Sequence, residues 1–581
     1  MSKFARFLCC LVTLSCGVSC LDLTLLHTND VHTRFEQTDL YGNECTKELE
    51  ENSQCYGGVA RRMAKIKEIR NNVDNVLLFD AGDAFQGTIW FNVYRGVAAA
   101  HFMNLLEYDA MSIGNHEFDL GIPVTFLSNI TFPALSCNID SRNEPTMQGL
   151  YVCSYVFTLP GGEKVGALGY TLQSTPDNTQ TGDLIFNPEA GSDIQQGVDD
   201  LIAMGINKII AVGHAGIEID KAVATSIKGI DIVIGGHSHT FLYTGTPPSN
   251  EEPYGEYPLV LSHEDDDNSI VLVVSACAFG KYLGRLDVTF DDDGVVIKYG
   301  GNPILLDKKV EEDSDTLKEI TTWKIDVDKV ANEVIGQAFP RLEGDFPICG
   351  TQECNMGNVL ADSMVFNDLS PMSTSRWSDA SIGMTTAGST RSSIEPGPIT
   401  IENLRRIMPH YGNSIDKVTL KGEHLLEVLE TSVASFEEGV PQGAFLQVSG
   451  LMVIYDVTRP SGDRVISVMV RCSDCETPTY EPLEEEMVYA ILMNNNMAGG
   501  GGGYDVIKNN KLSHEPGSLD IDVTMNYLRS ISYVMTGNEG RQVVYTKSNP
   551  APCYGRAGSL QSSLSLILLF TSCSAILYSS F

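Results

Sequence analysis

Val76-Leu77-Leu78-Phe79-Asp80-Ala81-Gly82-Asp83 decides how the first half of this chain is read. Residues 76–79 are short and wholly apolar, the pattern of a strand buried on both faces. The run ends in a glycine, which lets the backbone pass close to a neighbour, and then in an aspartate. The same order recurs along the chain. Residues 23–26 lead to Asp30-Val31-His32, and residues 110–113 lead to Gly114-Asn115-His116-Glu117 and Asp119. Residues 208–212 lead to Gly213-His214, and residues 230–234 to Gly236-His237-Ser238-His239. Amphipathic stretches at 59–70 and 193–204 read as helices between these strands. Alternating strands and helices imply a layered α/β domain, in which ligands collect at the carboxyl ends of the strands.

The residues at those strand ends offer carboxylate, amide and imidazole donors, the set suited to zinc and similar divalent ions. Asp83 is the expected bridge between two ions. Asp30, His32 and His239 would complete one site, and Asn115, His214 and His237 the other. Two ions held this way activate a hydroxide between them and neutralise phosphate oxygens, so phosphoester hydrolysis is the expected chemistry. His116 adjoins a ligand yet is left over. It is expected to stabilise charge on the transferring phosphoryl or the leaving oxygen, with Asp119 orienting it. Each piece alone is a weak signal: a single histidine after a strand is more often a hydrogen-bonded structural residue, and Asp119 alone reads as a cap. Glu117 is expected to be structural. The ordered set carries the argument.

At 581 residues the chain is too long for one core, and two large domains are expected. A hydrophobic share of 43% and a charged share of 20% are ordinary for globular proteins. The formal charge of −36 excludes nucleic acid as a partner, because phosphate backbones need a basic surface. Lys3 and Arg6 precede an apolar run at 7–18, so residues 1–20 are expected to be a secretory signal peptide. Small residues at Gly555, Ala557, Gly558 and Ser559 precede an apolar tail at 564–578. Residues 548–581 are therefore expected to hold a glycosylphosphatidylinositol (GPI) attachment region and a removed tail, placing the chain on the extracellular face of the plasma membrane. In that compartment cysteines pair, and three local pairs suggest themselves: Cys45 with Cys55, Cys349 with Cys354, and Cys472 with Cys475. Cys137, Cys153 and Cys277 remain, so one is left over. Asn129-Ile130-Thr131 is an N-glycosylation acceptor.

The first domain is expected over residues 21–311. Residues 312–334 are charged and helical in pattern and read as a linker helix. A second domain follows over 335–547, with a Ser/Thr/Gly-rich stretch at 385–393, a helix starting near Glu423, and strands near 451–455 and 465–470. The glycine run at 499–503 reads as a turn rather than a phosphate cradle, because no Lys-Ser/Thr follows it.

Leu26-His27-Thr28-Asn29-Asp30-Val31-His32, Gly57-Gly58-Val59-Ala60-Arg61, Asp80-Ala81-Gly82-Asp83 and Gly114-Asn115-His116-Glu117-Phe118-Asp119 together resemble the metallophosphoesterases. More narrowly the chain is similar to the animal ecto-5′-nucleotidases. The likeness runs through Ala278-Phe279-Gly280-Lys281-Tyr282-Leu283-Gly284 into Glu353-Cys354-Asn355-Met356-Gly357-Asn358. It implies a layered α/β/β/α metallophosphoesterase domain followed by a separate α+β substrate-binding domain. It also implies a homodimer, and hydrolysis of nucleoside 5′-monophosphates such as AMP with two divalent ions, zinc being the expected metal.

The resemblance also marks a nucleoside pocket in the second domain. Relatives carry Asn-Gly-Gly-Gly-Ile-Arg where this chain has Thr386-Ala387-Gly388-Ser389-Thr390-Arg391. Arg391 is kept for phosphate oxygens, and Thr386 replaces the asparagine. Of two aromatic positions that sandwich the purine, Tyr411 fills one and Asn496 stands at the other. Gly350 and Gly502 replace an arginine and an acidic residue. Two other readings follow from these departures: an apyrase-like hydrolase of nucleoside di- and triphosphates, and a non-enzymatic surface binding protein with a decayed pocket.

Overall fold

The computed structural model describes residues 20–551 apart from 178, 264–265, 370–376 and 409–412. The expected signal peptide, the apolar C-terminal tail and Tyr411 fall outside the described residues, Cys20 and residues 548–551 excepted.

The buried runs form two sheets packed face to face. One orders its strands Val296–Gly301, Tyr282–Phe290, Leu21–Thr28, Val76–Asp80, Ala110–Ser112 and Ala134–Leu135, with Ile304–Leu305 beside Tyr282–Phe290. The other orders Leu259–His263, Asp266–Val274, Ile232–Gly235, Ile209–His214, Lys164–Thr171 and Ser154–Thr158. Leu21, Leu23, Leu25, Leu77 and Phe79 from the first sheet join Val165, Ile210, Val212 and Val233 from the second in one core. Leu26, Leu78 and Met111 face the other way, into a core shared with the helices Val59–Asn72 and Gly96–Leu105. Ile194, Val198 and Leu201 of the helix Ser192–Ala203 and Val223 of Ile217–Ser226 pack on the second sheet. The layering is therefore α/β/β/α.

Parallel pairing sets where the site forms. Leu21–Thr28, Val76–Asp80 and Ala110–Ser112 run side by side in parallel, as do Ile209–His214 and Ile232–Gly235. Their carboxyl ends therefore emerge together, as the alternation of strand and helix requires.

The helix Ser314–Ala331 leads into a second α/β unit. Its larger sheet orders Leu446–Ser449, Ile382–Thr386, Val488–Asn494, Ile415–Lys421 and Ser513–Glu515. Four- and three-stranded sheets flank it, with the helices Asn355–Asn367, Gly422–Val433 and Asp520–Ile531. The three local cysteine pairs are formed, and a fourth joins Cys137 to Cys153, which leaves Cys277 free. Among the described residues no helix is long and apolar enough to cross a membrane.

Candidate two-metal site

Hydrogen bonds between loops, not within them, assemble the site. The amides of Asp30, His32 and Thr33 donate to the carbonyls of Gly82, Asp83 and Ala84 at 3.0, 3.0 and 3.1 Å. Gly236 N donates to Gly213 O at 3.0 Å and Gly216 N to Gly236 O at 3.1 Å, which ties the His214 and His237 loops. Gly82 has φ +86°, and a Cβ there would lie 2.8 Å from both Gly114 N and His214 Nδ1. A side chain would push these two strand ends apart, which is why the Gly-Asp pair follows the strand.

All seven metal-type residues converge. Asp30, His32 and His239 form one group whose candidate ligand atoms lie within 4.8 Å of one another, and Asp83, His214 and His237 form a second. Asp83 stands between the groups: its Oδ2 lies 3.1 Å from His214 Nε2 and 3.8 Å from His32 Nε2. Asn115 Oδ1 meets His214 Nε2 at 3.1 Å and His237 Nδ1 at 2.9 Å. His239 Nε2 lies 3.4 Å from Asp30 Oδ1.

Tautomers are set from behind. His214 Nδ1 donates to Ala81 O at 2.7 Å and His32 Nδ1 to Phe85 O at 3.0 Å, so each Nε2 lone pair faces inward. Five of the seven residues hold positive φ: Asp30 at 51°, His32 at 50°, Asp83 at 58°, His237 at 74° and His239 at 51°. Such backbone costs roughly 1–3 kcal/mol per residue and persists where the surroundings over-determine it, commonly at functional sites.

The electrostatics call for a cation. Asp30 and Asp83 are 0% and 2% exposed, and among the described residues neither pairs with a lysine or arginine. Buried carboxylates need a counter-charge. Burial would raise the Asp83 carboxyl, but His214 and His116 hold it well below the usual carboxylate range. With no ion bound, burial would depress His214, but Asp83 outweighs it and raises the imidazole, so a proton on Nε2 takes the place that a cation would fill. Two buried carboxylates, an amide oxygen and four imidazoles suit divalent ions of the zinc class.

Beside them, His116 Nδ1 donates to Asp119 Oδ2 at 2.9 Å, and His116 N donates to Asp83 Oδ1 at 2.9 Å. Burial works against a charged His116, but Asp119 and Asp83 push it up to about 10. Glu117 is fully buried, and its carboxylate accepts from the backbone N–H groups of Asp83, Ala84, Phe85 and Gly114. It is structural, as expected. Asn29 escaped the sequence reading: its Nδ2 donates to Asp30 Oδ2 at 2.7 Å while its Oδ1 accepts from Ala276 N at 3.0 Å. Its only signal was its place before Asp30.

Among the described residues no hydrogen bond or ion pair links Thr386, Arg391 or Asn496 to the metal-type set. Thr386 Oγ1 pairs with Ser389 Oγ at 3.2 Å. Arg391 is exposed, its guanidinium 5.7 Å over the Phe346 ring. Asn496 is exposed and lies against Gly501. Gly350 is closed in by the 441–442 segment, with Gln442 N donating to its carbonyl at 2.8 Å.

Residues 23–241 match the calcineurin-like phosphoesterase family, and residues 334–509 match the 5′-nucleotidase C-terminal domain. The chain is 43% identical over 531 residues to the snake venom 5′-nucleotidase of Naja atra, covering 90% of this chain and 98% of that one. It is 42% identical over 543 residues to the 5′-nucleotidase of Homo sapiens, with 92% of each covered. The crystal structure of a 5′-nucleotidase precursor from Thermus thermophilus superposes with a TM-score of 0.61 at 36% identity, covering 90% of this chain and 99% of that one. With metal-type residues at the strand ends, layered sheets and both family domains in order, the chain belongs to the 5′-nucleotidase family of metallophosphoesterases.

Proposed function

We propose that Asp30, His32, Asp83, Asn115, His214, His237 and His239 hold two divalent ions, zinc being the expected pair, and that the chain hydrolyses nucleoside 5′-monophosphates, AMP among them, to nucleoside and phosphate. The observation that carries this reading is Asp83 Oδ2 at the shared edge of two three-residue groups. When bound, such a pair neutralises phosphoryl oxygens and activates the attacking water. The other steps belong to side chains. Asp119 engages His116 Nδ1, which leaves Nε2 free to face the phosphoryl group. Against the burial that opposes it, Asp119 and Asp83 favour the charged imidazole, so His116 stabilises charge on the phosphoryl oxygens or donates a proton to the leaving 5′-oxygen. Arg391 pairs with phosphate oxygens from the second domain, and Thr386, Tyr411 and Asn496 surround the nucleoside.

On this reading residues 21–311 form the metal domain, 312–334 the connector and 335–547 the nucleoside-gripping domain. Residues 1–20 and 548–581 direct secretion and GPI anchoring, and the mature chain works outside the cell as a homodimer. Phosphate release from AMP, ADP and ATP, with and without a chelator, tests the account. Chelator-sensitive release from AMP alone is expected. Equal release from ADP and ATP would favour the apyrase-like reading, and none from any nucleotide a surface binding protein.

A further inference from the structure

We propose that Phe279 is the positioning residue that holds His239, and with it the ion of the Asp30–His32–His239 group, in place. The inference rests on the two-ion reading above. His32 and His214 have their far ring nitrogens tied to backbone carbonyls. His239 is the exposed member of its group, and among the described residues its ring bonds only to other site residues, His32 Nε2 at 3.4 Å and Asp30 Oδ1 at 3.4 Å. No hydrogen bond aims it from behind. What stands behind it is the Phe279 ring, in edge contact at a centroid distance of 5.3 Å and an interplanar angle of 76°; the same ring lies 5.9 Å from His32.

Phe279 is itself held in a conformation that a bulky aromatic rarely adopts, with φ at 61°. Three contacts impose it. Phe279 N donates to Asp30 O at 2.7 Å. The Arg34 guanidinium lies 4.1 Å over the ring, while Arg34 Nη1 donates to His32 O at 2.9 Å and Nε to Gly42 O at 3.1 Å. Gly42, at φ +83°, lies against the ring so closely that a Cβ there would strike it. Ligand loop, guanidinium, ring and glycine form one clamp, and the strained backbone is the means by which the ring reaches His239. Removing the ring frees a ligand whose ring no backbone carbonyl holds among the described residues, and loosens one ion of the two.

The test is ion retention. Wild type, Phe279→Ala, Phe279→Leu and Gly42→Ala are loaded with zinc, exposed to a competing chelator, and followed by elemental analysis of metal per chain, alongside the thermal midpoint of the metal-free forms. In Phe279→Ala and Gly42→Ala one ion leaves about tenfold faster or more while the other keeps its wild-type rate. Phe279→Leu, which restores bulk without the ring, falls between. Gly42→Ala and Phe279→Leu carry the test if Phe279→Ala does not fold. Wild-type retention of both ions in the variants overturns the proposal, and so does equal loosening of both with a lowered metal-free midpoint, the mark of a merely structural role. A wild-type chain that binds no ion sinks the two-ion reading itself, and this proposal with it.

Discussion

Glu117 offers its carboxylate to four backbone N–H groups, from Asp83, Ala84, Phe85 and Gly114, and so latches the two loops that carry Asp83 and Asn115. Glu117→Gln keeps the shape but replaces one acceptor oxygen with a donor that faces buried N–H groups. It should lower stability by about 1–3 kcal/mol in denaturant titrations and weaken zinc retention, although the residue ligates nothing. His116→Ala should differ. It should leave metal content near wild type while turnover of AMP falls by about 10²–10⁴-fold, with some loss of unfolding midpoint because Asp119 loses its partner. At this scale the convergence was legible in the sequence: strand-end position pointed to the seven metal-type residues, the His116–Asp119 contact and the buried Glu117 that the structure brings together. The positive φ values of Asp30, His32, Asp83, His237 and His239 were not, because nothing local in an Asp or His specifies them; neighbouring loops impose them. Asn29 and Phe279 were hidden for a related reason, since their roles exist only across 247 and 40 residues of chain, to Ala276 and His239.

The connector Ser314–Ala331 is an element whose ends explain its length. Asp313 caps it by accepting from Thr316 N at 2.9 Å and pairs with Lys67 Nζ at 2.8 Å, and Asn332 closes it before the strand Val334–Ala338. The expected span of 312–334 was slightly long because charge patterning does not locate caps. Trp323 fixes the helix to the first domain, stacking on His101 at 4.6 Å and accepting from Tyr94 Oη at its carbonyl at 2.8 Å. Burial works to raise the Asp313 carboxyl, but Lys67 and Thr316 outweigh it and bring it down to about 2. A folded value below the unfolded carboxylate, about 3.9, means this contribution is complete above that unfolded value and is lost as pH falls toward 2. Asp313→Asn, which can still cap, should flatten the decline in unfolding midpoint between about pH 5 and 2. Asp313→Ala should in addition lose about 1 kcal/mol at neutral pH.

For the whole molecule, alternating strands and helices made the first domain readable, because a buried parallel strand is a continuous apolar run. The second domain was read in pieces: Leu451–Asp456 and Val465–Arg471 stood out, while Ile382–Thr386 and Ile415–Lys421, whose apolar residues are interrupted by Gly, Thr, Asp and Lys, did not. The Cys137–Cys153 pair was not foreseen. The segments meet side by side, with Ser136 N donating to Val152 O at 3.0 Å, and sequence proximity gives no hint of that pairing. Ions that bind only the folded chain should stabilise it, so removing them should lower the thermal midpoint in proportion to ion affinity and free concentration. The most direct test of the central claim is stepwise return of zinc to metal-stripped protein while phosphate release from AMP is recorded. The account predicts negligible release without metal and a rise that ends at two equivalents per chain. Full release from the stripped protein, or a plateau at one equivalent, would contradict it.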